Sequence, residues 1–105
     1  MHPPKEQILT ECIDLIAVVD YLPEDEHAKV YSEIIETLGT YPKPQKKDNP
    51  EAPTPEILGA YLCASSVRNA CKLTLLGYLD NHTAKTTITD YLTNALTLLI
   101  DEKYT

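Results

Sequence analysis

The sequence contains no tryptophan, no phenylalanine and a single methionine. Aromatic side chains dominate many protein cores, so a core here has to be built from leucine, isoleucine, valine and alanine with some of the seven tyrosines. Only three glycines are present, and none forms a glycine-rich loop that could hold a phosphate. The 105 residues are enough for one domain, 1–105, that buries roughly 60–70% of its unfolded surface.

Long apolar runs are also missing. No run approaches the ~18 residues that a membrane-spanning helix needs. The first residues, MHPPKEQ, lack the charged-then-apolar order of a signal peptide. We therefore expect a cytoplasmic protein that does not enter a membrane.

Cysteine is scarce and odd in number, at positions 12, 63 and 71. Cys63 and Cys71 are eight positions apart on one predicted helix, which is about 12 Å of rise and too far for a disulfide. Buried, reduced thiols are the simplest interpretation. No Cys or His residues are paired at metal-ligand spacing, so we expect neither a metal site nor a cofactor.

The stretch 55–79 organises the chain. Thr54 is placed to cap a helix, Pro55 suits its first position, and Glu56 adds a carboxylate to its first turn. Apolar residues cover most of the circumference, which is typical of a helix enclosed by others. Small residues, Gly59 among them, would let a neighbouring helix approach closely, and Gly77 is a possible early end of the helix.

Three further amphipathic helices are predicted, over about 4–21, 23–38 and 83–102, with Thr83 capping the last one. Pro23 opens the second helix and Gly39 ends it. A loop over 40–53 is rich in proline and lysine. The expected fold is therefore an all-α, mostly antiparallel four-helix bundle, built from two αα-hairpins joined by that loop.

Charge is distributed unevenly. Residues 1–38 carry nine acids and two lysines, a net charge of −7, whereas 39–55 carry +1 and 56–105 carry −1. The first hairpin thus holds the whole excess of the chain's −7. Such a chain cannot bind nucleic acid by releasing counterions, which needs a basic patch, but it suits a basic protein surface.

No motif points to an enzyme. His27 lies on the apolar side of the second helix without a nucleophile at a recognisable spacing, so a packed histidine is the better interpretation. Glu33 and Glu36 resemble half of the acidic set with which all-α nucleotide pyrophosphatases hold Mg²⁺, but the later helices offer only scattered aspartates. We expect a non-enzymatic protein.

A small-anion or nucleotide site is one alternative. The polar strip of the central helix comprises Tyr61, Ser65, Arg68 and Lys72, in which arginine would bind an anion as a fork and lysine as a point charge. A buried arginine without a partner is costly. We therefore expect Arg68 to pair with Asp90, Asp101 or an acid of the first hairpin, rather than with a ligand.

The favoured hypothesis is that the chain binds, and inhibits or modulates, a protein with a basic, nucleic-acid-binding surface. The expected contact residues are the outward acids of the first hairpin, namely Glu11, Asp14, Asp25, Glu33 and Glu36. The threonine-rich outer face of the last helix and the lysines of the loop (43, 46 and 47) are alternative contact surfaces. Surplus apolar residues on the central helix make a homodimer possible.

One analogy supports that hypothesis, and a second provides an alternative, a bacteriocin-immunity-like helical bundle. Small acidic single-domain proteins are frequent among phage-encoded anti-defence inhibitors, in which an acidic surface occupies the nucleic-acid channel of a host nuclease. Bacteriocin-immunity proteins are similar to the expected fold in helix number and length. The first is an analogy of character and the second one of architecture, and no motif carries either.

Overall fold

A computed structural model describes residues 4–44 and 53–104 of the chain. They form four α-helices without a strand: α1 (Lys5–Val18), α2 (His27–Leu38), α3 (Pro55–Leu75) and α4 (Asn81–Lys103). Short 3₁₀ turns at Val19–Tyr21 and Glu24–Glu26 link the first two helices. Of the predicted tail, only Pro4 is described. Residues 45–52, which make up most of the predicted loop, also lie outside the described residues.

The helices pack as a four-membered ring. α1 lies against α2 and α4, and α3 lies against the same two helices, most extensively against α4. Ion pairs join Asp20 to Lys85 and Glu6 to Lys103, so each end of α1 meets the opposite end of α4. The two helices are therefore antiparallel, and the predicted four-helix bundle is confirmed.

Large aliphatic side chains fill the inside of the first hairpin. Their spacing of three or four residues places them on one face of each helix. The buried positions are Ile8, Leu9, Cys12, Ile16 and Val19, followed by Val30, Tyr31, Ile34 and Leu38. The outward acids stay in water, so the predicted amphipathic pattern of this hairpin is confirmed.

The second hairpin packs through small side chains. The buried residues of α3 are Ala60, Ala64, Val67, Ala70 and Cys71. A Cβ atom built on Gly59 would lie 3.0 Å from Leu98 Cδ1 of α4. The predicted close approach of a neighbouring helix is thus confirmed at this glycine.

The outer side of α3 departs from the prediction of an enclosed helix. Leu58, Leu62, Leu73 and Leu76 are 42%, 63%, 42% and 71% exposed. The reason is geometric: α3 has helices on two sides only, because α1 lies diagonally across the bundle. A ring of four helices cannot cover the outward face of any one of them.

The turn between α3 and α4 lies earlier in the chain than predicted. Gly77 adopts φ +88°, and the amides of Gly77 and Tyr78 donate to the carbonyls of Thr74 and Leu73. This Schellman motif ends α3 at Leu75 rather than at residue 79.

α4 also begins earlier than predicted, because the turn before it lies earlier in the chain. The Asp80 carboxylate accepts a hydrogen bond from the Thr83 amide at 2.7 Å, so Asp80 is the cap and the helix begins at Asn81. The prediction that Thr83 caps this helix is wrong. An ionised carboxylate is a stronger acceptor than a threonine hydroxyl, and the early end of α3 leaves Asp80 free to act.

α2 ends at Leu38, as predicted, but Gly39 keeps a right-handed φ of −61°. The chain continues in a 3₁₀ turn in which the Tyr41 amide donates to the Leu38 carbonyl. This turn folds Tyr41 back over the bundle, where it is only 7% exposed.

Candidate functional site

An open groove runs between the outer faces of α1 and α2. Its charged lining is Glu11, Asp14 and Glu33, and Leu15, Val18 and Thr37 complete it. Its volume is about 370 Å³. We call it the acidic groove. It forms because α1 and α2 pack side by side and turn their polar faces in the same direction.

The other two predicted contact residues lie apart from this groove. Glu36 lines a second depression along α2, together with Glu33, Lys29 and two small residues. Asp25 lies in the 3₁₀ turn before α2 and lines neither surface. The structure therefore gathers Glu11, Asp14 and Glu33, places Glu36 beside them, and separates Asp25.

The groove carboxylates are not neutralised within the described part of the chain. Its two ion pairs involve Glu6, in the first turn of α1, and Asp20, in the 3₁₀ turn that follows α1. Glu11 accepts a 3.3 Å hydrogen bond from the neutral Gln7 amide. Apolar surface lies among the acids, because Val18 is 44% exposed.

A second candidate site lies where the end of α2 meets α3. This small pocket of about 60 Å³ is lined by Leu38, Gly39, Tyr41, Lys43, Tyr61, Ala64, Ser65 and Arg68. We call it the Arg68 pocket. It brings together three of the four residues predicted for an anion site, while Lys72 is exposed and does not line it.

Two of the pocket's polar residues, Tyr41 and Lys43, were not predicted as part of an anion site. They belong to the segment after α2, which has no hydrophobic periodicity and so gives no signal of burial. The Tyr41 and Tyr61 rings lie with their centroids 6.3 Å apart. Lys43, one of the three loop lysines, borders the pocket, whereas Lys46 and Lys47 lie outside the described residues.

The expected ion pair of Arg68 is not formed in the described part of the molecule. Arg68 Nε is buried and has no hydrogen-bond partner. The side chain lies on the α2 side of α3, whereas Asp90 and Asp101 are exposed residues of α4. The prediction that Arg68 is satisfied by one of these acids is therefore wrong.

A second residue of the same pocket, Tyr41, also carries a buried polar atom without a partner, its hydroxyl. Burial, with smaller effects from Glu6 and Cys63, raises the pKa of Tyr41 to about 12. The hydroxyl is therefore protonated at neutral pH and available as a donor. These two orphaned atoms are the full set found among the described residues.

At the opposite end of the bundle, polar side chains are fully engaged. Tyr31 donates to Asn81 Oδ1 at 3.3 Å, and Asn81 Nδ2 lies 3.0 Å from His27 Nδ1. His27 Nε2 lies 3.0 Å from the Leu22 carbonyl. Because a carbonyl only accepts, Nε2 carries the proton and Nδ1 accepts from Asn81. His27 is thus a packed histidine, as predicted.

The threonine-rich face of α4 borders another open groove. Thr86, Thr89 and Asp90 line it with the Asp20–Lys85 ion pair. These groups are polar, and both signs of charge are present. The face offers less concentrated charge than the acidic groove, so it is the weaker candidate for a charged partner.

The three cysteines are free. Cys12 and Cys71 are buried, and burial raises the pKa of each to about 12, while Cys63 is half-buried. Within residues 4–44 and 53–104, no group of three or more His, Cys, Asp or Glu side chains is placed to hold a metal ion. In the same ranges, every helix is too short or too polar to cross a membrane.

No protein-family model matches the chain, and comparisons with curated proteins and with solved structures give no match either. Function therefore has to be argued from the two sites.

Proposed function

We propose that this protein is a non-catalytic, cytoplasmic binding protein whose acidic groove binds a partner with a basic, nucleic-acid-binding surface and blocks that surface. The observation that carries the proposal is the grouping of Glu11, Asp14 and Glu33 along one groove, with no cation paired to any of them in the described chain. The three free cysteines fit a reducing compartment.

The physical basis is electrostatic complementarity. A surface of one sign steers an oppositely charged partner and raises the association rate, and it repels partners of like charge. The acids hold the position that phosphates would take on the partner's surface. The exposed part of Val18, next to the half-buried Leu15, adds apolar contact, which a purely charged surface lacks.

The test uses two variants with the same change in charge. The groove variant is Asp14→Asn with Glu33→Gln, and the control is Asp90→Asn with Asp101→Asn, on exposed positions of α4. Immobilised wild type and both variants are exposed to a lysate of the source organism at low and high salt. A protein retained by wild type and by the control, but lost from the groove variant and at high salt, is then purified.

Two measurements on the purified pair decide the matter. We expect the groove variant to slow association by about tenfold at low salt, and the wild type to displace nucleic acid from the partner. Equal losses of association rate in both variants would mean that only net charge matters and would contradict a role for the acidic groove. Binding that leaves the partner's nucleic acid in place would contradict a blocking role.

Self-association through α3 is a separate proposal. The outward stripe of α3 carries no charge, and its residue types read nearly the same in both directions. It consists of Leu58, Leu62, Ser66, Asn69, Leu73 and Leu76. In an antiparallel pair of α3 helices, the leucines at one end would meet those at the other end of a second copy. The stripe faces away from α1, so pairing would not bring two acidic grooves together.

A further inference from the structure

Arg68 and Tyr41, which both line the Arg68 pocket, carry the two buried polar atoms of the described chain that lack hydrogen-bond partners, Arg68 Nε and the Tyr41 hydroxyl. Buried polar groups are nearly always satisfied, and an exception calls for an explanation such as an ion or a ligand. Because the two side chains come from different segments of the chain and line one small pocket, they favour a common explanation.

The pocket's charge is opposite to that of the molecule. The chain has 16 acids and nine bases, yet the lining includes Lys43 and Arg68 and, among the described residues, no acid. Glu6, whose charge contributes to the raised pKa of Tyr41, is paired with Lys103. The pocket is therefore a local site of positive charge in an acidic protein.

All of the polar groups that line the pocket can donate hydrogen bonds. The guanidinium offers planar N–H groups, Lys43 an ammonium group, and Tyr41 a protonated hydroxyl. Tyr61 and Ser65 carry hydroxyls that can also donate. Hydrogen bonds to an ionised acceptor are roughly twice as strong as neutral ones, so an oxyanion would satisfy the orphaned atoms better than water.

We propose that the Arg68 pocket binds a single phosphate-sized oxyanion, held by the Arg68 guanidinium and the Tyr41 hydroxyl with Lys43 as a point charge. A volume of about 60 Å³ suits a small ion such as one phosphate group, and it is well below the roughly 300–1,000 Å³ of pockets that enclose larger ligands. The site is independent of the acidic groove, which lies on the other side of α2.

The first test is a titration with inorganic phosphate at constant ionic strength, with chloride as the balancing salt. Backbone amide resonances of the pocket residues Gly39 and Ser65 are followed by ¹H–¹⁵N NMR, because they are present in the wild type and in every variant. We expect a saturable shift, with affinity about tenfold weaker in Arg68→Lys, which keeps the charge but loses the fork and the Nε donor. Lys72→Gln is the matched control, because Lys72 lies one turn further on the same helix outside the pocket, and its affinity should be unchanged.

A second variant separates ligand binding from structure. Tyr41→Phe removes only the orphaned hydroxyl, so the unliganded protein should be as stable as wild type or more stable, while phosphate binding weakens about tenfold. A structural role for the hydroxyl would instead lower stability without phosphate. Loss of stability in unliganded Tyr41→Phe would therefore overturn the assignment of Tyr41.

Phosphate also strengthens apolar burial in any protein because it is excluded from surfaces. Specific binding should raise the Tm of wild type and Lys72→Gln more than that of Arg68→Lys. An equal rise in all three proteins, or pocket amide resonances that shift without saturating, would overturn the proposal. Titration with adenosine monophosphate in place of phosphate then distinguishes free phosphate from a phosphoryl group on a larger molecule.

Discussion

The two hairpins solve the same packing problem in different ways. The first, α1–α2, places large aliphatic side chains inside and acids outside, so its inner and outer faces are sharply distinct. The second, α3–α4, brings its helices together through small residues such as Gly59 and leaves leucines of α3 in water. Apolar character alone therefore does not indicate burial in this chain, because neighbouring helices decide which side is covered.

Truncating one leucine in each hairpin tests this difference in burial most directly. Leu9→Ala removes a fully buried side chain in α1 and should reduce the free energy of unfolding by about 2–5 kcal/mol. Leu62→Ala alters a side chain that is 63% exposed and should change the free energy of unfolding by less than about 0.5 kcal/mol. Urea unfolding at low protein concentration measures both.

Similar losses in these two variants would show that the outer face of α3 is covered in the dilute protein, contrary to the structure. Low concentration matters because association would add stability to the wild type by mass action.

Association is the next largest expected effect. If α3 pairs with a second copy, wild type should show a concentration-dependent increase in mass by sedimentation equilibrium. Leu62→Gln with Leu73→Gln should abolish that increase, since both side chains lie on the stripe and are at least 42% exposed. Val18→Gln, in the acidic groove, is the control and should still associate.

A monomeric wild type at all concentrations, or association unchanged by the two glutamines, would contradict the pairing through α3.

The smallest expected effect concerns the ion pair that joins the two hairpins at Glu6 and Lys103, whose atoms Oε1 and Nζ lie 2.9 Å apart. The hydrogen bond from Lys103 holds the pKa of Glu6 below its usual 4.5, and Glu6 raises the pKa of Lys103. The contribution of Glu6 is therefore present above pH 4.5 and lost as the pH falls through the lowered value.

Lys103→Gln should lower Tm slightly at neutral pH and not at all in strong acid, because both proteins then have a protonated Glu6. The two side chains are 33% and 60% exposed, and solvent screening keeps such pairs weak. Tm measured across the acid range checks this. A Tm difference that persists below the pKa of Glu6 would show that Lys103 acts through packing instead.

Much of the fold follows from local patterns. Periodic apolar residues located α1 and α2, and Thr54 with Pro55 located the start of α3, where the Thr54 hydroxyl accepts from the Ile57 amide. Patterns were less reliable where two signals competed. Thr83 and Asp80 are both capping residues, and only the position of the preceding turn decides between them.

The candidate sites were harder to predict than the helices. Helical periodicity placed Glu11 and Asp14 on one face, but their meeting with Glu33 depends on how α1 packs against α2. Arg68 was expected to find an acid because burial makes an unpaired charge costly. The return of Tyr41 over the bundle comes from a 3₁₀ turn without any periodic signal, so neither it nor Lys43 could be placed beside Arg68 from the sequence.

The hydrogen-bonded chain from Tyr31 through Asn81 and His27 to the Leu22 carbonyl has a further consequence. Packing of aliphatic side chains is less specific for the register of one hairpin against the other, since side chains of similar size can replace one another. The hydrogen-bonded chain is more specific, because a shift of one helical turn would move Asn81 about 5.4 Å away and leave three polar groups unpaired. These hydrogen bonds therefore favour one axial register for the two hairpins.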